Sequence, residues 1–111
     1  MHFCITANYT PQAITAIMAN PDMNRLAAIT SLVEAAGGKL VSLYSTAAEG
    51  PGVLVIIDVP DAMSAPAIVG VVKATGAIED VRLIRLMTPD EVKPVRHKAA
   101  QIRPAYKPPN Q

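Results

Sequence analysis

The segment EGPGVLVIIDVP, residues 49–60, sets a glycine–proline corner against seven residues, Val53 to Val59, six of them apolar. Two readings compete for the corner Glu49-Gly50-Pro51-Gly52: a phosphate-cradling loop, or a tight turn between strands. A phosphate loop presents several consecutive backbone N–H groups, usually at a helix N-terminus. Here Pro51 removes one of them, the segment leads into a strand, and no Lys-Ser/Thr pair follows. The corner is therefore expected to be a hairpin connection, built on the positive φ open to glycine and the fixed φ of proline. The run after it reads as a strand whose unbroken apolarity asks for cover on both faces, which places it centrally in a sheet.

Upstream, His2 to Asn8 alternates, with Phe3, Ile5 and Ala7 on one side and Cys4, Thr6 and Asn8 on the other. That is a period-two strand with one apolar and one mildly polar face. Thr10-Pro11 reads as an N-cap and first-turn proline, opening a helix that Asn20-Pro21-Asp22 interrupts. Asp22 is expected to cap the restart, Leu26, Ile29, Thr30 and Val33 follow at helical spacing, and Gly37-Gly38 stops the helix. Lys39 to Thr46 is a second strand, with Leu40, Ser42, Tyr44 and Thr46 on one face and Val41, Leu43 and Ser45 on the other.

Downstream of the quoted run, a second main helix is expected from Asp61 or Ser64 to about Thr75, stopped by Gly76, with Pro66 in its first turn. Val81 to Met87 reads as a fourth strand. Thr88-Pro89-Asp90-Glu91 then combines a threonine cap, a first-turn proline and a glutamate three residues on, which makes a capping box. The helix it opens is expected to bend or end near Pro94. From Arg103, Pro104, Pro108 and Pro109 favour an extended arm.

The order β-α-β-β-α-β, followed by a third helix and an arm, is the split βαβ, ferredoxin-like antiparallel arrangement of the α+β class. Such a sheet carries both helices on one face. The other would present Cys4, Thr6 and Asn8 among apolar neighbours, and a half-apolar open face is an association surface. A homodimer with its two sheets facing each other, and a pocket between them, is the economical expectation.

Composition fits this picture. One domain suits 111 residues, divided as a barrel domain at 1–92 and a basic, proline-containing helix end and arm at 93–111. Half of the residues are hydrophobic and Trp is absent, so the core must be aliphatic. No apolar run approaches the ~20 residues that span a bilayer, and the start, His2-Phe3-Cys4-Ile5-Thr6, does not read as a signal peptide. A single cysteine excludes an internal disulfide. A cytoplasmic protein without a membrane partner is expected. Residues 1–92 hold nine acids against five bases, a balance of −4, whereas 93–111 hold five bases and no acid. A basic tail can bind nucleic acid or lie on an acidic subunit, its own or a neighbour's. The bases are thinly spread with Tyr106 as their one aromatic companion, so nucleic acid is the disfavoured partner.

The chain resembles the GYD-domain proteins of the dimeric α+β barrel superfamily over roughly residues 1–92. The residues that carry the likeness are Ala7-Asn8-Tyr9-Thr10, Ala35-Ala36-Gly37-Gly38-Lys39, Leu43-Tyr44-Ser45-Thr46, Val55-Ile56-Ile57-Asp58-Val59-Pro60-Asp61 and Arg85-Leu86-Met87-Thr88-Pro89. The Gly-Tyr-Asp that names the family would fall at Gly50-Pro51-Gly52, so a role tied to its tyrosine and aspartate does not carry over. The resemblance implies a dimeric barrel of unassigned function, in a superfamily that includes small-ligand binders, cofactor-free oxygenases, isomerases and haem enzymes.

Several groups suggest chemistry. His2 and Cys4 point the same way along a strand, but a metal site needs three or four ligands and His97 lies in the last helix, so neither a metal nor a cofactor is expected. Cys4 as a nucleophile needs a base or cation to lower its pKa, and the buried inert thiol is the simpler account. Asp58 is a charge inside an apolar strand: a general base raised by desolvation, a partner of Arg82 or Arg85, or a group left solvated at the strand's end. The main constellation is Thr6, Asn8, Ser42, Tyr44 and Thr46, hydrogen-bonding groups whose alternation lets them converge on the face without helices, with Arg85 as a cation for a carboxylate or phenolate. A mostly apolar cavity with a few oriented polar groups suits a small organic ligand. The alternative is that these groups satisfy one another across the dimer. Three functions follow: a small-molecule-binding or accessory protein; a cofactor-free oxygenase or isomerase acting on a small aromatic or enol-like substrate; or an assembly protein working through its arm.

Overall fold

A computed structural model describes residues 1–47 and 50–110. Strand β1 (His2–Tyr9) leads into α1 (Pro11–Ala19) and α2 (Arg25–Ala35), and β2 (Lys39–Thr46) and β3 (Gly52–Asp58) form the hairpin. Helix α3 (Ser64–Ala74), β4 (Ile78–Leu86) and α4 (Pro89–Ile102) follow, and a 3-10 turn spans Arg103–Ala105. The sheet order is β2-β3-β1-β4, with every neighbouring pair antiparallel. This is the expected ferredoxin-like α+β fold, with β3 and β1 as its two central strands.

Local chemistry explains the boundaries. Thr10 Oγ1 accepts from the Ala13 N–H at 3.3 Å and Pro11 takes the first turn of α1. The restart at α2 is capped by Asn24, whose Oδ1 accepts from the Ala27 N–H at 2.9 Å, and not by Asp22. Asp61 precedes α3 and holds its start, its Oδ1 accepting from the N–H and hydroxyl of Ser64 at 2.9 and 2.7 Å. These bonds, the Ser64 hydroxyl first, hold the Asp61 carboxyl below its usual range. Helix α4 carries the full capping box: Glu91 N–H donates to Thr88 Oγ1, and Thr88 N–H donates to Glu91 Oε1, both at 3.1 Å. It does not end at Pro94 but continues to Ile102. Pro94 sits one turn in, where its missing N–H costs one bond, to a carbonyl of the first turn.

The core is aliphatic apart from Phe3. Phe3 and Ile5 of β1, Val55 and Ile57 of β3, Val33 of α2, and Ala65 and Ile68 of α3 bury one face of the sheet under the helices. Each large side chain so buried contributes about 1.5–3 kcal/mol. The opposite face carries no buried side chain among the described residues. There Leu54 and Ile56 of β3 are half-buried, so the expectation of cover on both faces of that strand holds within the chain for one face alone. A β-bulge between Leu40 and Ser42 inserts Val41 as an extra residue in β2. It reverses the expected side of Leu40, which pairs with Ile57 and packs against the core, while Ser42, Tyr44 and Thr46 remain on the open face.

Candidate ligand site on the open sheet face

Residues directly opposite in antiparallel strands share a face, so the register orders the open side into rows. One row runs Lys39, Asp58, His2, Leu86; the next Ser42, Ile56, Cys4, Ile84; the next Tyr44, Leu54, Thr6, Arg82; the last Thr46, Gly52, Asn8, Glu79. Thr6, Asn8, Ser42, Tyr44 and Thr46 therefore do lie on one face, as the alternation requires. Arg85 does not. It pairs with Phe3 on the helix side, with its guanidinium 5.8 Å from the centroid of the Phe3 ring and 3.8 Å from Glu91 Oε2. Arg82, two residues earlier, is the cation of the open face.

At the Thr46–Asn8 end the face sinks into an open recess of ≈ 600 Å³, lined by Thr6, Ala7, Asn8, Thr46, Asp80 and Arg82, with Ala47 at its rim. The sequence pattern missed Asp80 and Arg82 as members. A second irregularity brings Asp80 there. Thr6 opposes Arg82 but Asn8 opposes Glu79, so β4 carries one residue more than β1. Asp80 takes φ +53°, a left-handed conformation that Asp tolerates better than most residues. Its Oδ2 accepts a long bond from Asn8 Nδ2 at 3.4 Å. Strand β4 starts three residues before the expected Val81, and that early start made Asp80 invisible as a strand residue.

Gly52 lets the walls close. A Cβ there would strike the Ala7 carbonyl oxygen and lie 2.8 Å from Thr46 Oγ1 and 3.0 Å from Asn8 Oδ1. The corner before it is tied to the end of β1, because the Tyr9 N–H donates to the Pro51 carbonyl at 2.9 Å. Gly50 adopts φ +109°, and Pro51 offers its carbonyl to a strand rather than an N–H to an anion, as a turn does. Glu49 of that corner lies outside the described residues. On the other side, Thr10 Oγ1 donates to the Gly76 carbonyl at 2.7 Å and its N–H donates to Ala77 O at 3.0 Å, anchoring the segment between α3 and β4 beside the recess.

Ser42 and Tyr44 line no part of the recess. Tyr44 is 62% exposed and, with Leu54, Ile56 and Ile84, forms an apolar platform beside it. The helix side offers less room: a mostly aliphatic hollow of ≈ 40 Å³ between the sheet and α2 and α3, space for a water or two, and an open cleft of ≈ 200 Å³ beside α1.

Asp58 is the last residue of β3 and its side chain is 44% exposed, the solvated strand-end position among the expectations. Its Oδ1 accepts from the Met1 ammonium at 3.1 Å, and that bond is the main cause holding its carboxyl below the usual range. Its carboxyl is held down rather than raised, and among the described residues neither arginine is its ion-pair partner. His2 lies opposite Asp58 and Cys4 opposite Ile56. Among the described residues no group of three His, Cys, Asp or Glu side chains converges, and no helix is long and apolar enough to cross a membrane.

A family model described as GYD domain matches residues 3–95. Among curated proteins none matches the chain.

Proposed function

The chain belongs to the GYD-domain family, and from that premise we propose that it is a small-molecule-binding protein whose site is the recess at the end of the open sheet face. One observation carries the reading. Thr6, Asn8, Thr46, Asp80 and Arg82, from three strands, converge on a space large enough for a small organic molecule and continuous with an apolar platform. Arg82 supplies a planar cation suited to a carboxylate or phenolate. Asn8, Thr6 and Thr46 supply neutral donors and acceptors, and Asp80 accepts from a ligand hydroxyl or amine. A second copy of the chain, laid face to face on the platform, would roof the recess and remove the apolar surface from water.

Thermal-shift and native mass measurements against a panel of small aromatic and hydroxy-carboxylic acids test this. Binding that is retained in Tyr44→Phe and weakened about tenfold or more in Arg82→Ala and Asn8→Ala is the expected result. Binding indifferent to both recess variants, or no binding across the panel, would sink it. If a bound compound is also consumed, an Asp80→Asn variant that still binds but no longer turns it over would move the protein to the cofactor-free enzymes.

A further inference from the structure

Helix α4 has no counterpart in its own chain. None of its residues is buried, yet Val92, Val95, Ala99 and Ile102 fall within about 80° of one another at 100° per residue, a continuous apolar stripe. Val95 and Ile102 are 51% and 57% exposed, and Tyr106 beyond them is 65% exposed. The helix stands away from the body. The radius of gyration is 17.8 Å and the longest dimension 58 Å, where a compact chain of this length has a radius near 13 Å. An isolated helix of 14 residues with a proline inside it is marginal in water, so an arm of this kind is expected to be held by something outside its own chain.

Charge indicates what. Arg96 lies along one edge of the stripe and Lys98 along the other, and no acid follows Glu91. The rest of the chain, residues 1–88, is acidic on balance, with seven acids against five bases, while α4 and the segment after it hold five bases against Asp90 and Glu91. A basic apolar arm and an acidic apolar body are complementary, and both are present in every copy. We infer that α4 and the segment after it form an exchange arm, which docks its Val92–Val95–Ala99–Ile102 stripe on the body of a second copy of this chain. The reach suffices: 14 helical residues extend about 21 Å, more than the ~15 Å width of a four-stranded sheet. The inference needs a second copy but not the recess, so a chain that binds no ligand leaves it standing.

The full-length protein, mixed from unlabelled and ¹⁵N-labelled preparations, is treated with a zero-length carbodiimide. Amide cross-links joining Lys93, Lys98 or Lys107 to body carboxylates should appear with mixed isotopes, the signature of two chains. They should fall at least fivefold in Val95→Glu/Ile102→Glu, which alters exposed positions alone and leaves the thermal midpoint of the body in place. Arm cross-links confined to one chain, or mixed cross-links unchanged in the double variant, would overturn the inference. So would arm lysines that join no carboxylate while the protein sediments with phosphatidylserine vesicles, since the occupant of the stripe would then be a membrane surface. A chain that stays dimeric with no arm cross-links would sink the exchange arm while leaving the face-to-face pairing untouched.

Discussion

Gly52 is the residue on which the recess depends. The strands approach so closely there that Thr46 Oγ1 and Asn8 Oδ1 occupy the space a side chain would need. The nearest obstruction is the backbone carbonyl of Ala7, which cannot swing aside as a side-chain tip can. Gly52→Ala should therefore cost about 1–3 kcal/mol, as overpacking does, visible as a lower urea midpoint at unchanged slope. It should also push Asn8 off Asp80. A variant as stable as the parent would mean that β1 and β3 separate more readily than their register implies. The glycine was legible as part of a corner, but its packing role was not, because close approach depends on which strands become neighbours. Asp58 teaches a similar lesson. Its need for a counter-charge is plain from an apolar strand, yet its partner is the Met1 ammonium, a group that a survey of side chains passes over. The face of Arg85 depends on which residue of the neighbouring strand stands opposite it, which β4 alone does not encode. Once Phe3 is opposite Arg85, parity puts the guanidinium among the helices and Arg82 on the open face.

At the scale of elements, the strands and their order were readable from period-two alternation, and the helices from their caps. The failures cluster where periodicity breaks. A bulge adds one residue and swaps the faces on one side of it, so the reading of β2 failed at Leu40 yet stayed right from Ser42 onward. The bulge at Asp80 hid that recess residue in the same way. The capping box of α4 was the most legible local feature, and it yields a test. Thr88→Ala should cost the helix about 1 kcal/mol, so amides in α4 should exchange about fivefold faster, with little change in the sheet. Glu91 adds a pH dependence. The Thr88 N–H holds its carboxyl below the ordinary 4.5, with the Thr88 side chain and Arg85 contributing less. A depressed folded-state value stabilises the structure above the unfolded value and is lost as pH falls through the folded one. Protection of the α4 amides should thus be flat at neutral pH and decline below about 4.5, and Glu91→Ala should remove that decline. A decline persisting in Glu91→Ala would assign it to another carboxylate.

For the molecule as a whole, the open face poses the main question, because the chain leaves Tyr44 and Ile84 exposed beside half-buried Leu54 and Ile56. Aliphatic surface of this kind on a sheet is stabilised by pairing with a like surface, and a two-fold axis would set each face against its copy. Ile84 is the position at which to test this. It is 41% exposed on the open face of β4, so within one chain a polar replacement should change stability by no more than about 0.5 kcal/mol. Between two sheets, Ile84→Glu would instead bury a carboxylate without a partner, which costs several kcal/mol. At an isologous interface the substitution also acts twice, once from each copy. Sedimentation equilibrium should therefore show a dimer, or a multiple of dimers, for the parent protein and a dissociation constant raised at least ~100-fold in Ile84→Glu, with thermal midpoints nearly equal at low concentration. A parent protein that sediments as a monomer, or a variant that associates as tightly as the parent, would remove the open face from the assembly and leave the recess without a roof.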